Sequence, residues 1–524
     1  MLLPVVVSDY LLRFRPVEQS LFTQPPASLG RYDLHRFRRC WPQAFLLLAL
    51  GACLLLAWYL WKVFAPALMS FDSVYQYDEA VTGHYDDGHP PIMAISIAAV
   101  RAMGGDLQHL MLLQCMAVVL GVSCLAYECC RRVAGPRLGA VPAAGVALGV
   151  LGILLAAWSP FAVYAMTFWK DVWLLACFCW IGALVLNLMR TSARLPTAGG
   201  CCKWVACLLV MTLALMVRHN AIVVAPLFGV LLAASFRPVV KARYLAVIAL
   251  LPWACAWGLK TTIQRVFQVQ TVSLVRFPIS LDLLTLCATY PEAVDALPYT
   301  KQNLTADYRA KYTPGCWGRC MGMARRRYFL DTVQLKNDYY QAITKFPWQL
   351  LVAKAASFCV HFQENSSIKF ADGLYPFPVR GSMYHFQPDP AYAAVRELRL
   401  QQMNDLFRDS PWPFAKHLPW LTIDLAICLV LVGGWWFRRR PAWGRMALLA
   451  LVPAVYCGSF FLANVAADFR YMYAATLGVQ AAVLAALLAL AALILKEVAG
   501  RLGRLRRPND QVGSARPTTL ASLN

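Results

Sequence analysis

Apolar runs of about 20 residues recur along most of this chain, separated by short connections that hold nearly all of the charge. A run of that length, wound as a helix, matches the roughly 30 Å hydrocarbon thickness of a bilayer, so each one predicts a membrane-crossing helix. Ten are read: 44–66, 107–130, 138–158, 172–189, 204–218, 221–235, 244–260, 419–437, 446–463 and 472–495. The expected fold class is therefore an all-α polytopic membrane protein of about ten transmembrane helices. Its parts are a basic arm (1–43), a membrane module (44–260) whose first loop is 67–106, a loop domain (261–418), a second set of membrane helices (419–495) and a tail (496–524). A further apolar stretch, 91–104, follows Pro90-Pro91 and contains Arg101. It reads as a helix lying on the membrane surface.

Composition agrees. Hydrophobic residues make up 59% of the chain and charged ones only 15%, more apolar surface than a soluble protein of this size can hide. The net charge of +22 would point to nucleic acid in a soluble protein. Here the basic residues cluster in alternate connections, which the positive-inside rule explains without a nucleic-acid partner. Arg131, Arg132 and Arg137 form one cluster, Arg190, Arg194 and Lys203 another, Arg237, Lys241 and Arg243 a third, and Arg438, Arg439, Arg440 and Arg445 a fourth. The short connections between them carry about one basic residue each: Arg101, Lys170, Arg218 and Arg470. This asymmetry predicts cytoplasmic termini in an inner membrane, with the first run acting as a signal anchor. Most cysteines lie in apolar runs, where they behave as small hydrophobes. Cys316 and Cys320 stand apart in a polar stretch, as a disulfide or as two unrelated thiols.

The connections on the expected outer face carry the candidate chemistry. The first, from Phe71 to Pro91, holds five carboxylates and two histidines, residue types suited to proton transfer or metal binding. Asp72, Asp78, Asp87 and His89 are the catalytic candidates, and Asp86, Asp87 and His89 are a possible divalent-cation set. The other outer connections present Lys170-Asp171, Arg218-His219-Asn220 and Asp468-Phe469-Arg470. Lys170, Arg218 and Arg470 are candidates to neutralise a phosphate, with Asp171, His219, Asn220 and Asp468 in support. Charges at span ends often do no more than snorkel to water. Four such clusters on one face, with the arginine clusters on the other, point to a shared polar cavity. In the loop domain, 348–358 reads as a surface or partly inserted helix and 370–384 as an ordered binding loop.

An early acid after the first span, then His89-Pro90-Pro91 and a surface helix, resembles the GT-C superfamily of membrane glycosyltransferases, which includes the protein O-mannosyltransferases and aminoarabinose transferases. The clusters at Trp169-Lys170-Asp171, Arg218-His219-Asn220 and Asp468-Phe469-Arg470-Tyr471 resemble elements of its bacterial members. The resemblance implies transfer of a sugar from a polyprenyl-phosphate donor to an acceptor outside the cytoplasm, with the catalytic acid in the first outer loop. The sequence departs from the mannosyltransferase pattern in that Ser73, not a second acid, follows Asp72. Asp78-Glu79 is the acidic pair instead, so both Asp72 and Asp78 stand as bases, Asp72 first. Some members of the superfamily use a metal and others do not. The alternative reading is a transporter or flippase for a lipid-linked or anionic solute, which predicts charge or broken helices within the spans.

Overall fold

The computed structural model describes residues 29–505 apart from 66, 136–137, 157–158, 192–197, 237–240, 274, 307, 313–323, 326–327, 329, 363–389, 409–416, 440 and 463–468. Among the described residues all regular structure is helical, apart from three isolated bridges. The helices are α1 (Leu29–Phe64), α2 (Phe71–Thr82), α3 (Pro91–Ala102), α4 (Leu107–Ala134), α5 (Ala140–Ala156), α6 (Ser159–Ala165), α7 (Lys170–Thr191) and α8 (Ala198–Val217). A 3-10 turn (His219–Val224) leads into α9 (Ala225–Phe236), followed by α10 (Ala242–Val266). The loop region holds α11 (Arg276–Thr289), α12 (Glu292–Asp295), α13 (Pro298–Asn303), α14 (Tyr308–Lys311), α15 (Thr332–Lys345), α16 (Pro347–Cys359) and α17 (Ala393–Arg408). Last come α18 (His417–Arg438), α19 (Pro441–Leu462) and α20 (Phe469–Leu505).

Eight of these are long and apolar enough to cross a membrane: α1, α4, α7, α8, α10, α18, α19 and α20. The chain is thus an all-α, multi-pass membrane protein. Two of the expected spans form shorter apolar helices, α5 and the 3-10 turn continuing into α9. At 1.5 Å per residue, the 17 residues of α5 reach only about 25 Å. The stretch after Pro90 forms α3, with Pro91 in the first turn and Met93, Ala94 and Ile97 buried.

Position in the bundle explains composition. α7 is apolar all round and mostly buried, packed along α4, α8 and α20, whereas α1 and α10 leave most of their apolar surface outward. A helix hydrophobic on every side belongs either at the centre of such a bundle or against lipid. α4 and α7 are also tied at one end by Glu128, which accepts from Arg190 (2.9 Å) and Asn187 (2.6 Å). The loop region has its own apolar core, built on Leu283, Leu286, Leu297, Tyr328, Leu335 and Leu350. α17 packs on α6 and on the end of α1, where Arg396 donates to Val63 O (3.1 Å). An arginine there satisfies a carbonyl that the end of α1 leaves open.

Candidate functional site

The polar residues gather where α1 ends and α7 begins. Residues 67–73 and 166–169 are joined there as a short parallel pairing: Leu68 N–H donates to Met166 O (3.0 Å) and Phe168 N–H to Leu68 O (2.8 Å). Side chains extend it. Ser73 Oγ donates to Phe168 O (2.5 Å), and Trp169 Nε1 donates to Ser70 Oγ (2.7 Å). From α4, the fully buried Gln114 donates to both Ala165 O (3.1 Å) and Thr167 O (2.9 Å). These bonds fix the start of α2 against the start of α7, and so fix Asp72 against Lys170.

The acidic stretch read as a loop is, in its first half, the helix α2. Ser73 Oγ accepts from Ser70 N–H (3.1 Å) at its start. Gly83 ends it at φ 72°, a left-handed conformation that glycine adopts freely. Asp72 therefore sits in the first turn of a helix, where a carboxylate is favoured by the dipole. Its Oδ2 lies 3.8 Å from Lys170 Nζ and its Oδ1 3.9 Å from His89 Nε2. Lys170 Nζ is 2.7 Å from His89 Nδ1. An ammonium can only donate, so Nδ1 is the acceptor, and a ring that accepts there carries its proton on Nε2, facing Asp72. The side chains of Asp72, His89 and Lys170 remain partly exposed, at 22%, 21% and 14%.

Asp78 stands elsewhere. Six residues on from Asp72, it lies about 240° round the helix and is exposed. Asp86 and Asp87 hold the segment after α2. Asp86 accepts from Gly88 N–H (2.7 Å) and from the Tyr75 hydroxyl, and its own N–H donates to Glu79 Oε1 (2.8 Å). Asp87 Oδ1 accepts from Val272 N–H (2.5 Å), its N–H donates to Gln270 O (3.0 Å), and Gln270 N–H donates to Tyr85 O (2.9 Å). The segment after α10 is thereby pinned to the loop. Among the described residues, no group of three histidine, cysteine, aspartate or glutamate side chains is arranged to hold a metal ion. The carboxylates of Asp86 and Asp87 are engaged in holding the loop.

A second ion pair adjoins the first. Asp171, fully buried, lies 2.6 Å from Arg218 Nη1. Arg218 also donates to Asn220 Oδ1 (3.2 Å), and Asn220 donates to Ser459 Oγ on α19 (3.1 Å). Consecutive helical positions point about 100° apart, so neighbours Lys170 and Asp171 serve different partners. His219 lies between the two pairs. Burial, with the charges of Lys170, Lys260 and Arg218 around it, pushes its pKa down to about 3, against a hydrogen bond that the ring donates to the Asp87 backbone, which raises it. These surroundings favour its neutral form. Glu79 is 5% exposed with Oε2 unbonded. Burial raises its carboxyl to about 7, the Asp86 N–H bond lowers it, and the Asp86 charge raises it further.

Asp72, His89, Lys170, Asp171, Arg218, His219, Asn220 and Asp87 thus form one contiguous polar patch. Arg470 begins α20 with its side chain outside the described residues, and Asp468 lies outside them entirely. So do Cys316, Cys320 and the segment 370–384. The reading of the loops missed Lys260, Gln114, Ser70, Ser73 and Ser459. In comparisons with protein-family models, curated proteins and solved structures, nothing matches the chain.

Proposed function

We propose that the chain is an inverting membrane glycosyltransferase that moves a sugar from a polyprenyl-phosphate donor to an acceptor on the outer face of the cytoplasmic membrane. The observation that carries this reading is the half-open Asp72–His89–Lys170 cluster at the membrane end of α1, together with the resemblance of the first loop to the GT-C superfamily. Asp72 is the general base. Its carboxylate takes the proton of the acceptor hydroxyl as that oxygen attacks the anomeric carbon from the face opposite the phosphate. The carbon–oxygen bond to the phosphate breaks, and the lipid phosphate leaves with the electron pair. Lys170 supplies positive charge beside that phosphate, and His89 holds both groups in register. Arg218 is committed to Asp171, so it supports the wall of the site. Arg470 remains a candidate for the donor phosphate. Asp86 and Asp87 hold the loop whether or not a divalent cation takes part.

The test is transfer of a sugar from a polyprenyl-phosphate donor by the purified protein. Asp72→Asn is expected to lose about 10²- to 10⁴-fold in rate, and Asp78→Asn to stay near wild type. Equal activity in Asp72→Asn and wild type would overturn the assignment. One observation favours a second reading, transport of a lipid-linked or anionic solute: Asp424 is buried within α18 and its Oδ2 has no hydrogen-bond partner among the described residues. An ionisable group inside a span often marks a relay. In that case Asp424→Asn abolishes solute uptake by proteoliposomes, while Asp72→Asn leaves it intact.

A further inference from the structure

Of the three cations that surround His219, two have carboxylate partners: Lys170 faces Asp72, and Arg218 faces Asp171. Lys260, half-buried near the end of α10, has none among the described residues. The backbone keeps it beside the site, because the segment after α10 is tied to the loop by the pairing of Gln270 with Tyr85 and Asp87. An ammonium without a counter-charge at the edge of a bilayer is a place for an anion.

The surface beneath Lys260 says what kind of anion. Trp253 and Trp257 lie on the same face of α10, about 20° and 60° from Lys260 round the axis and about 10 and 5 Å below it. Their rings stack, with centroids 5.8 Å apart and planes 25° apart, and both project from the protein, 45% and 62% exposed. Tryptophan on membrane helices usually sits at the interface, where its N–H reaches water. This pair lies within about 10 Å of Lys260 along α10, with both rings facing outward. It makes a flat aromatic track running down into the hydrocarbon from a single positive charge.

We propose that this face of α10 docks the polyprenyl phosphate, its phosphate on Lys260 and its chain along Trp257 and Trp253. This inference rests on the glycosyltransferase reading and adds the donor's binding surface, which lies on a different helix from the Asp72 cluster.

The test uses the full-length protein in zwitterionic nanodiscs with a photoactivatable polyprenyl phosphate. Labelling is expected on the peptide spanning 253–260. It should fall about tenfold in Lys260→Ala and in Lys260→Gln, recover in Lys260→Arg, and weaken about threefold in Trp257→Ala. Polyprenol without phosphate should label the peptide no more than background. Undiminished labelling in both Lys260 variants overturns the proposal. So does displacement of the probe by an equal amount of phosphatidylglycerol, since the surface would then hold bulk anionic phospholipid. Binding that survives Asp72→Asn supports the dock. If the dock holds but no donor yields sugar transfer, the glycosyltransferase reading fails and the lipid-phosphate site stands.

Discussion

Asp72 and Asp282 each face a lysine across a helix junction, in the membrane module and in the loop region respectively. Lys354 Nζ lies 2.5 Å from Asp282 Oδ2, Tyr339 donates to the same oxygen at 3.0 Å, and the side chains are 13% and 4% exposed. Lys170 stands 3.8 Å from Asp72, with water able to reach both and an imidazole touching the lysine. Burial raises the Asp282 carboxyl even with Lys354 beside it, so desolvation outweighs the attraction. That pair ties α11 to α16, and neither group can be removed without stranding the other. Lys170 is as buried as Lys354, but its carboxylate partner is 22% exposed against 4% for Asp282, and the pair is held at nearly 4 Å, so it contributes less to stability. The fold needs Asp72 and Lys170 far less than it needs Asp282 and Lys354, which leaves the first pair available for chemistry.

The sharpest way to break this contrast is to remove each lysine. Lys354→Met leaves a buried carboxylate without its counter-charge and is expected to destabilise the loop region by about 3–5 kcal/mol, seen as loss of hydrogen-exchange protection in α11 and α15. If Lys354→Met and Lys170→Met prove equally mild, the distinction between the two pairs collapses. Next in size is Gln114→Ala, which strips the donors from two buried carbonyls at the α7 start. A cost of about 1–3 kcal/mol follows, and Asp72–Lys170 spacing, read by a distance probe across α2 and α7, should broaden.

A pH experiment probes the loop that carries His89. Glu79 has a folded pKa of about 7 against an ordinary 4.5. A raised carboxyl pKa means the folded state binds its proton more tightly than the unfolded chain. The stabilisation is full below about pH 4.5 and is lost as pH rises through about 7. Amide protection in 83–90 should fall over that window, after correction for intrinsic exchange, and Glu79→Gln should flatten the profile. A protection that rises with pH would contradict the assignment. The smallest effect is reserved for Lys170→Met: under about 1 kcal/mol in thermal unfolding, whatever it does to activity.

Apolar runs are a direct image of the bilayer, so the helical class and the eight long helices were legible in the sequence. Asp72, His89 and Lys170 were legible as candidates because charge near a membrane is rare enough to notice. Their relative geometry was not. It depends on the pairing of Leu68 with Thr167, about a hundred residues apart, and on Ser70, Ser73 and Gln114, which look like ordinary polar residues until their bonds are seen. The ion pair of Arg218 with Asp171 was not legible, because Lys170 and Asp171, adjacent in sequence, read as one cluster while pointing to different partners. Lys260 escaped notice at the end of an apolar run, where a lysine passes for a snorkelling charge.

The pairing of 67–73 with 166–169 has a mechanical consequence. α1 lies at the lipid boundary and α7 at the centre of the bundle. When a bilayer thins or thickens, peripheral helices adjust by tilting. Stitched to α7 at one end, α1 must swing about that stitch, so the displacement accumulates at its far end. Asp72, a few residues past the pivot, moves least. The spacing between Asp72 and Lys170 is thereby buffered against membrane thickness, and the protein should tolerate lipids of different chain length with its reactive groups still in register.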